Sequence, residues 1–281
     1  MPAAIVDGKA IQMRILEETR EKVSKLKQKP FLGVILVGNS PASISYVNKK
    51  KEACAYCGIT AEIFQFHESA SETSIREKIM ELNLDSEVNG ILVQLPLPEK
   101  FRRQRVLDTV NPDKDVDGLT STSQGILATG KEGIFSATAL AVLKILQSHK
   151  VSLEGKKCVI VNHNTLIGRP LAQLLLNENA TVELCHKFTG DLAKETISAD
   201  ILVSATGVPG LITERHMKKG CVAIDAGFAK KDGKVCGDFV PEDAMKCASI
   251  YTPVPGGVGP VTVATLAENT LKAYILQGTD G

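Results

Sequence analysis

The sequence has no tryptophan, and aromatic residues make up only 4% of its 281 residues. A surface that binds bases or sugar rings by stacking is therefore not expected. Charge of one sign is not in excess either, because 33 basic residues are balanced by 32 acidic ones, for a formal net charge of +1. Proteins that bind nucleic acid usually carry a basic excess, so we predict no nucleic-acid partner.

Long apolar runs are also missing from the chain. No run approaches the ~18 residues that a membrane-spanning helix needs, so we expect no membrane partner. The N-terminal stretch MPAAIVDGKAIQ lacks the basic and apolar segments of a secretory signal. The seven cysteines are an odd number, which suits reduced thiols better than a disulfide framework. Together these features predict a cytoplasmic protein.

Short apolar runs alternate with helical patterns along the chain, which predicts βαβ units and parallel sheets. Hydrophobic residues make up 43% of the sequence, enough for a sizeable core, and the length predicts two domains at ~150 residues each. Strand-like runs lie at 31–38, 60–66, 90–96, 157–161, 181–185, 200–205 and 221–227. Helical patterns lie at 7–27, 43–57, 71–84, 101–110, 137–148 and 167–176, from 191, and at 260–276.

A polar, turn-rich segment, NPDKDVDGLTSTSQG (111–125), separates two alternating series. We therefore predict an α/β fold with two doubly wound domains. The first domain comprises 1–120 plus 261–281, and the second, at 121–260, is Rossmann-like and dinucleotide-binding. The C-terminal helix is expected to pack back on the first domain.

Polar residues in the first domain lie where ligands bind in open α/β sheets, beyond the carboxyl ends of the strands. Tyr46 and Lys50 are four residues apart on the helix after the first strand and share one face. A partly desolvated lysine near a tyrosine can transfer protons near neutral pH; the alternative is a solvated lysine in the run KKK. Gln94 at the mouth of an apolar strand is a further candidate. Asp115 and Asp117 are either site residues or turn caps.

The loops of the second domain depart from the usual dinucleotide pattern. The loop NHNTLIGRP after strand 157–161 contains only Gly168, so GxGxxG is absent. The next strand ends in the basic pair His186-Lys187, which suits a ribose 2′-phosphate, with a solvated surface lysine as the alternative. The loop TPVPGGVGP (252–260) allows a backbone to approach a ligand closely. Cys54-x-x-Cys57 has no second pair nearby, so we expect no metal.

Four ordered motifs span nearly the whole chain: VGNSPASISYVNKKKEACAYCGI (37–59), GILVQLPLP (90–98), NPDKDVDGLT (111–120) and TPVPGGVGPVTVATLAENT (252–270). With them the chain resembles the bifunctional methylenetetrahydrofolate dehydrogenase/methenyltetrahydrofolate cyclohydrolase family. The resemblance implies NADP-dependent oxidation of 5,10-methylenetetrahydrofolate to 5,10-methenyltetrahydrofolate, then hydrolysis to 10-formyltetrahydrofolate. It also implies tetrahydrofolate substrates in a cleft between two domains, a homodimer, and a role in one-carbon metabolism and purine biosynthesis.

The same resemblance implies roles for individual residues. Lys50 matches the catalytic lysine and Tyr46 its partner, Gln94 would hydrogen-bond the lysine, and Asp117 would hold the pterin ring. The implied folate pocket also includes Leu95, Pro96, Pro255, Gly256 and Gly257. The implied cofactor site comprises Thr138, Asn162, His163, Asn164, Lys187, Ala205, Thr206, Gly207, Gly227, Phe228, Gly259 and Thr262.

The chain departs from the family pattern around the cofactor. The family's Gly-Arg-Ser is Asn162-His163-Asn164 here, its Pro-Cys-Thr-Pro is Ser-Ala-Thr-Ala at 136–139, and the Ser of its Cys-His-Ser is Lys187. We predict NADP, with Lys187 and His163 replacing the lost phosphate contacts. The alternatives within the family are NAD use or a cyclohydrolase-dominant enzyme. More distant ones are an amino-acid or shikimate-type dehydrogenase and a binding protein without catalysis.

Overall fold

The computed structural model describes residues 2–278. Its strands are β1 (Ala4–Ile5), β2 (Phe31–Val37), β3 (Thr60–Phe66), β4 (Gly90–Val93), β5 (Lys157–Val161), β6 (Thr181–Cys185), β7 (Ile201–Ser204), β8 (Val222–Asp225), β9 (Ala229–Lys231), β10 (Lys234–Cys236) and β11 (Ile250–Tyr251). Its α-helices are α1 (Gly8–Ser24), α2 (Pro41–Tyr56), α3 (Glu72–Leu84), α4 (Arg103–Leu107), α5 (Ser121–Ala128), α6 (Ala137–Ser148), α7 (Gly168–Asn177), α8 (Leu192–Thr196), α9 (Pro241–Cys247) and α10 (Val258–Leu276). No helix in this part of the chain is long and apolar enough to cross a membrane.

The chain divides into two compact units. The small-sheet unit comprises Met13–Ala137 and the chain from Val263, and the large-sheet unit comprises the chain up to Gln12 and Thr138–Thr262. These divisions differ from the predicted boundaries in two places. The N-terminal residues belong to the large-sheet unit because β1 pairs with β11. Residues 121–137, predicted to begin the second domain, belong to the small-sheet unit, and helix α5 (Ser121–Ala128) overlaps the segment predicted to be turn-rich, 111–125.

The small-sheet unit is built on three parallel strands in the order β3-β2-β4. The run FLGVILV forms the central strand, and six of its seven residues are buried, as a strand covered on both faces requires. Ser71 caps α3 by accepting the Ser74 N–H at 3.0 Å. That helix buries the apolar side chains at one helical spacing: Ile75, Ile79 and Leu82.

The C-terminal helix α10 packs on the small-sheet unit, as predicted. The buried amide of Asn269 donates to the carbonyl oxygens of Val116 and Phe135 at 2.9 and 3.0 Å. Gln277, just after the helix, donates to the carbonyl of Asn89 at 2.7 Å. Helix α10 and Gln277 are therefore fixed to Asn89, just before β4, and to the segments around residues 116 and 135.

The large-sheet unit has six parallel strands in the order β1-β11-β8-β7-β5-β6. The chain runs from β5 outward to β6 and then returns to the other side of β5 as β7. The strand order thus reverses between β5 and β7, which is where doubly wound folds bind ligands. This confirms the predicted Rossmann-like sheet. The β9–β10 hairpin and the two-residue strands β1 and β11 were not predicted.

Candidate active site

Lys50 and Gln94 lie at the point where the small sheet reverses its strand order. Helix α2 follows the central strand β2, and Gln94 follows the neighbouring strand β4 directly. The Lys50 Nζ donates to the Gln94 Oε1 at 3.0 Å. Gln94 itself is only 9% exposed, and its backbone N–H donates to the Ile35 carbonyl at 2.9 Å. The amine is therefore held by a side chain whose own backbone is fixed in the sheet.

The electrostatics of this site are dominated by burial. Loss of water lowers the pKa of the Lys50 amine, and the charges of Asp117 and Cys54 raise it in part. Burial likewise raises the pKa of the Asp117 carboxyl, which the Lys50 charge lowers in part and the Asp115 charge raises further. Burial also raises the pKa of Tyr46, one helical turn before Lys50. The site thus pairs an amine that protonates less readily than usual with a carboxyl that ionises less readily.

The backbone around Asp117 is fixed from several sides. The Asp115 Oδ2 accepts hydrogen bonds from the Thr120 N–H and the Ser123 hydroxyl, both at 2.8 Å. Gly118 has φ +61°, and a Cβ there would overlap the backbone of Phe135. The two aspartates of this segment therefore differ. Asp115 holds the turn through its hydrogen bonds, whereas the charge of Asp117 raises the pKa of Lys50.

In the large-sheet unit, the loop after β5 is organised by asparagine side chains. The Asn162 Nδ2 donates to the Ala205 carbonyl at 2.5 Å, which joins the loops after β5 and β7. The Asn162 Oδ1 accepts the Asn164 N–H at 2.7 Å, and the Asn164 Oδ1 accepts two further backbone N–H groups. Gly168 starts α7, and a Cβ there would overlap the backbone of Asn162. The one glycine of this loop is thus required for close packing between loop and helix.

A group of cationic and aromatic side chains covers the ends of β5 and β6. The rings of His163 and His186 lie 4.8 Å apart between centroids. Lys187 is exposed, and its amine lies 4.9 Å from the ring centroid of Phe188, which is 77% exposed. The exposed Arg169 donates from Nε to the His163 carbonyl at 3.0 Å. Sequence reasoning missed Arg169, although its position at the start of a helix after a strand-end loop favours anion binding.

The remaining predicted residues occupy strand ends and turns. Thr206 and Gly207 follow β7, and Gly207 has φ +72°. Gly227 and Phe228 follow β8. The turn of Pro255, Gly256 and Gly257 lies in the large-sheet unit, where the Gly256 carbonyl accepts the Gly8 N–H at 3.0 Å. The other predicted positions are Leu95 and Pro96 after β4, Thr138 in the first turn of α6, and Gly259 and Thr262 in the first turns of α10.

Comparison with known proteins agrees with this architecture. The sequence matches the family description "Tetrahydrofolate dehydrogenase/cyclohydrolase, catalytic domain" over residues 6–117. It matches the companion NAD(P)-binding domain over residues 136–277. The Bifunctional protein FolD of Hydrogenobaculum sp. (strain Y04AAS1) is 44% identical over 272 residues, covering 96% of this chain and 98% of that protein.

Two solved structures show the same fold over nearly the full length. The bifunctional FolD methylenetetrahydrofolate dehydrogenase/cyclohydrolase of Campylobacter jejuni is 40% identical with a TM-score of 0.96, covering 98% of this chain and 99% of that one. The Trypanosoma brucei dehydrogenase-cyclohydrolase, solved with NADP and an inhibitor, is 34% identical with a TM-score of 0.95, covering 99% of both chains. This chain belongs to the tetrahydrofolate dehydrogenase/cyclohydrolase family.

Proposed function

We propose that this protein oxidises 5,10-methylenetetrahydrofolate to 5,10-methenyltetrahydrofolate with NADP and then hydrolyses the product to 10-formyltetrahydrofolate. The observation that carries the proposal is the half-buried Lys50 amine, which donates to Gln94 at 3.0 Å and whose pKa the charge of Asp117 raises in part. Titratable groups with perturbed pKa values cluster at functional sites, so this amine favours an enzyme over a binding protein without catalysis. An amino-acid or shikimate-type dehydrogenase is not supported by the family match.

For the oxidation, the main contribution of the protein is to align the folate with the nicotinamide cofactor. When bound, NADP supplies the hydride acceptor. The flanking nitrogen lone pairs of the folate stabilise the methenyl cation, so the protein needs to hold the two reactants close and in line. In the proposal, Asp117 binds the pterin ring, with Leu95 and Pro96 of the same unit beside it.

The hydrolysis requires proton transfer. Water adds to the methenyl carbon, a C–N bond of the imidazoline ring breaks, one proton is released, and the formyl group stays on N10. Lys50 is the group proposed to move the proton, because its lowered pKa brings it closer to neutral pH. Gln94 orients the amine, and Tyr46 contributes a hydroxyl one helical turn away.

The residues around the β5–β7 reversal fit a dinucleotide. Gly259 leaves open backbone, because no atom lies within 4 Å of the place of a Cβ there, whereas Gly207 lies close to the Phe228 carbonyl oxygen, 3.3 Å from the place of its Cβ. Ala205, Thr206, Gly227, Phe228, Thr138 and Thr262 complete the proposed site. Lys187 and His163, with Arg169 beside them, would bind the 2′-phosphate, whereas an NAD-specific site usually places a carboxylate at this strand end.

A spectrophotometric assay tests the whole proposal. The protein is mixed with 5,10-methylenetetrahydrofolate and either NADP or NAD, and the absorbance of reduced nicotinamide and of the methenyl product is followed. We expect faster reduction of NADP than of NAD, followed by decay of the methenyl absorbance. Absence of reduction with both cofactors would refute the dehydrogenase assignment, and faster reduction of NAD would refute the cofactor choice. We also propose a cytoplasmic homodimer that supplies purine biosynthesis, which sedimentation and cell fractionation would test.

A further inference from the structure

The buried carboxylate of Asp238 holds the turn that follows β7. Its Oδ2 accepts three hydrogen bonds: from the Ser204 hydroxyl at 2.6 Å, the Thr206 N–H at 2.6 Å and the Thr206 hydroxyl at 2.9 Å. The Thr206 hydroxyl in turn accepts the Val208 N–H at 3.1 Å. Because Asp238 is fully buried, these bonds hold the turn at 204–208 to the interior of the unit.

A second buried carboxylate, Asp225, fixes Asp238. Asp225 is the last residue of β8, and its oxygens accept the N–H groups of Gly227, Asp238 and Phe239 at 2.9–3.0 Å. Asp225 is itself held by the Thr252 hydroxyl, which accepts its N–H at 2.6 Å. The segment that carries Asp238 is therefore tied to the end of β8.

Two glycines allow these carboxylates to approach the backbone. A Cβ on Gly227 would overlap the carboxylate of Asp238, and a Cβ on Gly237 would overlap that of Asp225. The Asp238 side chain thus contacts the turn after β8 at Gly227 and hydrogen-bonds the turn after β7 at Thr206. One side chain contacts both of the turns that the proposed function assigns to the dinucleotide.

The second oxygen of Asp238 is an exception to the usual rule for buried polar atoms. Within the described residues, its Oδ1 is the one buried side-chain nitrogen or oxygen atom without a hydrogen-bond partner. Such atoms are uncommon because they disfavour folding. The other oxygen, Oδ2, makes all the hydrogen bonds to the turn after β7, so the main contribution of this side chain is to set the position of the two turns.

We propose that Asp238 is a positioning residue for the dinucleotide: it sets the spacing of the turns after β7 and β8 and is required for dehydrogenase activity but not for cyclohydrolase activity. The inference rests on the proposed function. It follows from the place of each group, because the hydrolysis proceeds at Lys50 in the small-sheet unit and consumes no nucleotide.

The test uses Asp238→Asn in the full-length protein, with NADP affinity measured by calorimetry and both activities measured on the same preparation. Loss of the charge weakens the bonds to Ser204 and Thr206, and we expect the Kd for NADP to rise roughly tenfold or more. The cyclohydrolase rate should stay within about twofold of the parent, whereas loss of a positioned proton-transfer group costs about 10²–10⁴-fold. Asp200→Asn is the matched control: Asp200 also accepts a backbone N–H, from Lys157 at 3.0 Å, but precedes β7 at its opposite end.

An unchanged NADP Kd in folded Asp238→Asn, or a parallel loss of both activities, would overturn the inference. If that variant does not fold, Ser204→Ala decides, because it removes one donor to the same carboxylate; a raised NADP Kd supports the inference and an unchanged one overturns it. Failure of the proposed function itself would look different, since the parent protein would then not reduce either cofactor.

Discussion

Replacing Gln94 changes the protonation of Lys50 in a direction that depends on the substitution. Gln94→Leu removes the acceptor that lies 3.0 Å from the Lys50 Nζ while keeping a side chain of similar size. The charged amine then loses a hydrogen bond in a site where burial already lowers its pKa. Gln94→Glu has the opposite effect, because it places a negative charge beside the amine. We therefore expect the two variants to shift the Lys50 pKa in opposite directions.

The size of the shift follows from the bond that is changed. A hydrogen bond to a charged group contributes ~1.5–3 kcal/mol. One pKa unit corresponds to about 1.4 kcal/mol. Gln94→Leu should thus move the pKa of Lys50 down by roughly one to two units, and Gln94→Glu should move it up by a similar amount.

The assay is the pH profile of kcat/KM for hydrolysis of 5,10-methenyltetrahydrofolate, after subtraction of the uncatalysed rate. The limb that reports Lys50 should move to lower pH in Gln94→Leu and to higher pH in Gln94→Glu. Gln124→Leu is the control, because Gln124 belongs to the same unit and donates to the Leu119 carbonyl at 3.2 Å. Shifts in the same direction in both Gln94 variants, or no shift in either, would refute the assignment.

Four further predictions concern single residues. Lys50→Met should abolish hydrolysis of methenyltetrahydrofolate while calorimetry still detects folate binding; hydrolysis at the parental rate would contradict its role. Asp117→Ala should weaken folate binding about ten- to a hundredfold, the equivalent of one charge-assisted hydrogen bond, and an unchanged calorimetric Kd would leave Asp117 as a turn residue. Lys187→Ser should raise the KM for NADP and leave that for NAD unchanged, and equal changes for both cofactors would exclude a phosphate contact. Asn269→Ala should lower the free energy of unfolding in urea by roughly 2–4 kcal/mol, because one buried and one part-buried carbonyl lose their donor, whereas Asn48→Ala on an exposed helix face should change it little.

The strongly periodic parts of the fold were predictable from the sequence. Strand β3 and helix α6 have the predicted bounds, because each combines a clear apolar pattern with turn residues at both ends. Strands β1 and β11 were missed because two residues carry no period, and their pairing joins opposite ends of the chain. Helix α5 was missed because its sequence, STSQGILA, begins with polar residues that also favour turns.

The same distinction holds for the site. Lys50 and Gln94 could each be placed near the carboxyl ends of strands, where ligands bind, and the family resemblance implied their hydrogen bond. Asp238 and Asn269 could not be found in this way, because they hydrogen-bond groups far away in the sequence. Their roles depend on tertiary packing, which a local sequence pattern does not predict.

Because β1 pairs with β11, the large sheet can be completed only after β11 has been synthesised. The chain passes between the two units after Gln12, Ala137 and Thr262, so no single cut yields two complete units. During synthesis β1 leaves the ribosome long before its partner β11, because the other strands of the large sheet lie between them in the sequence. Until β11 has been made, β1 has no partner strand and β8 lacks its neighbour on that side. Unpaired strand edges make partly folded chains prone to associate with other chains.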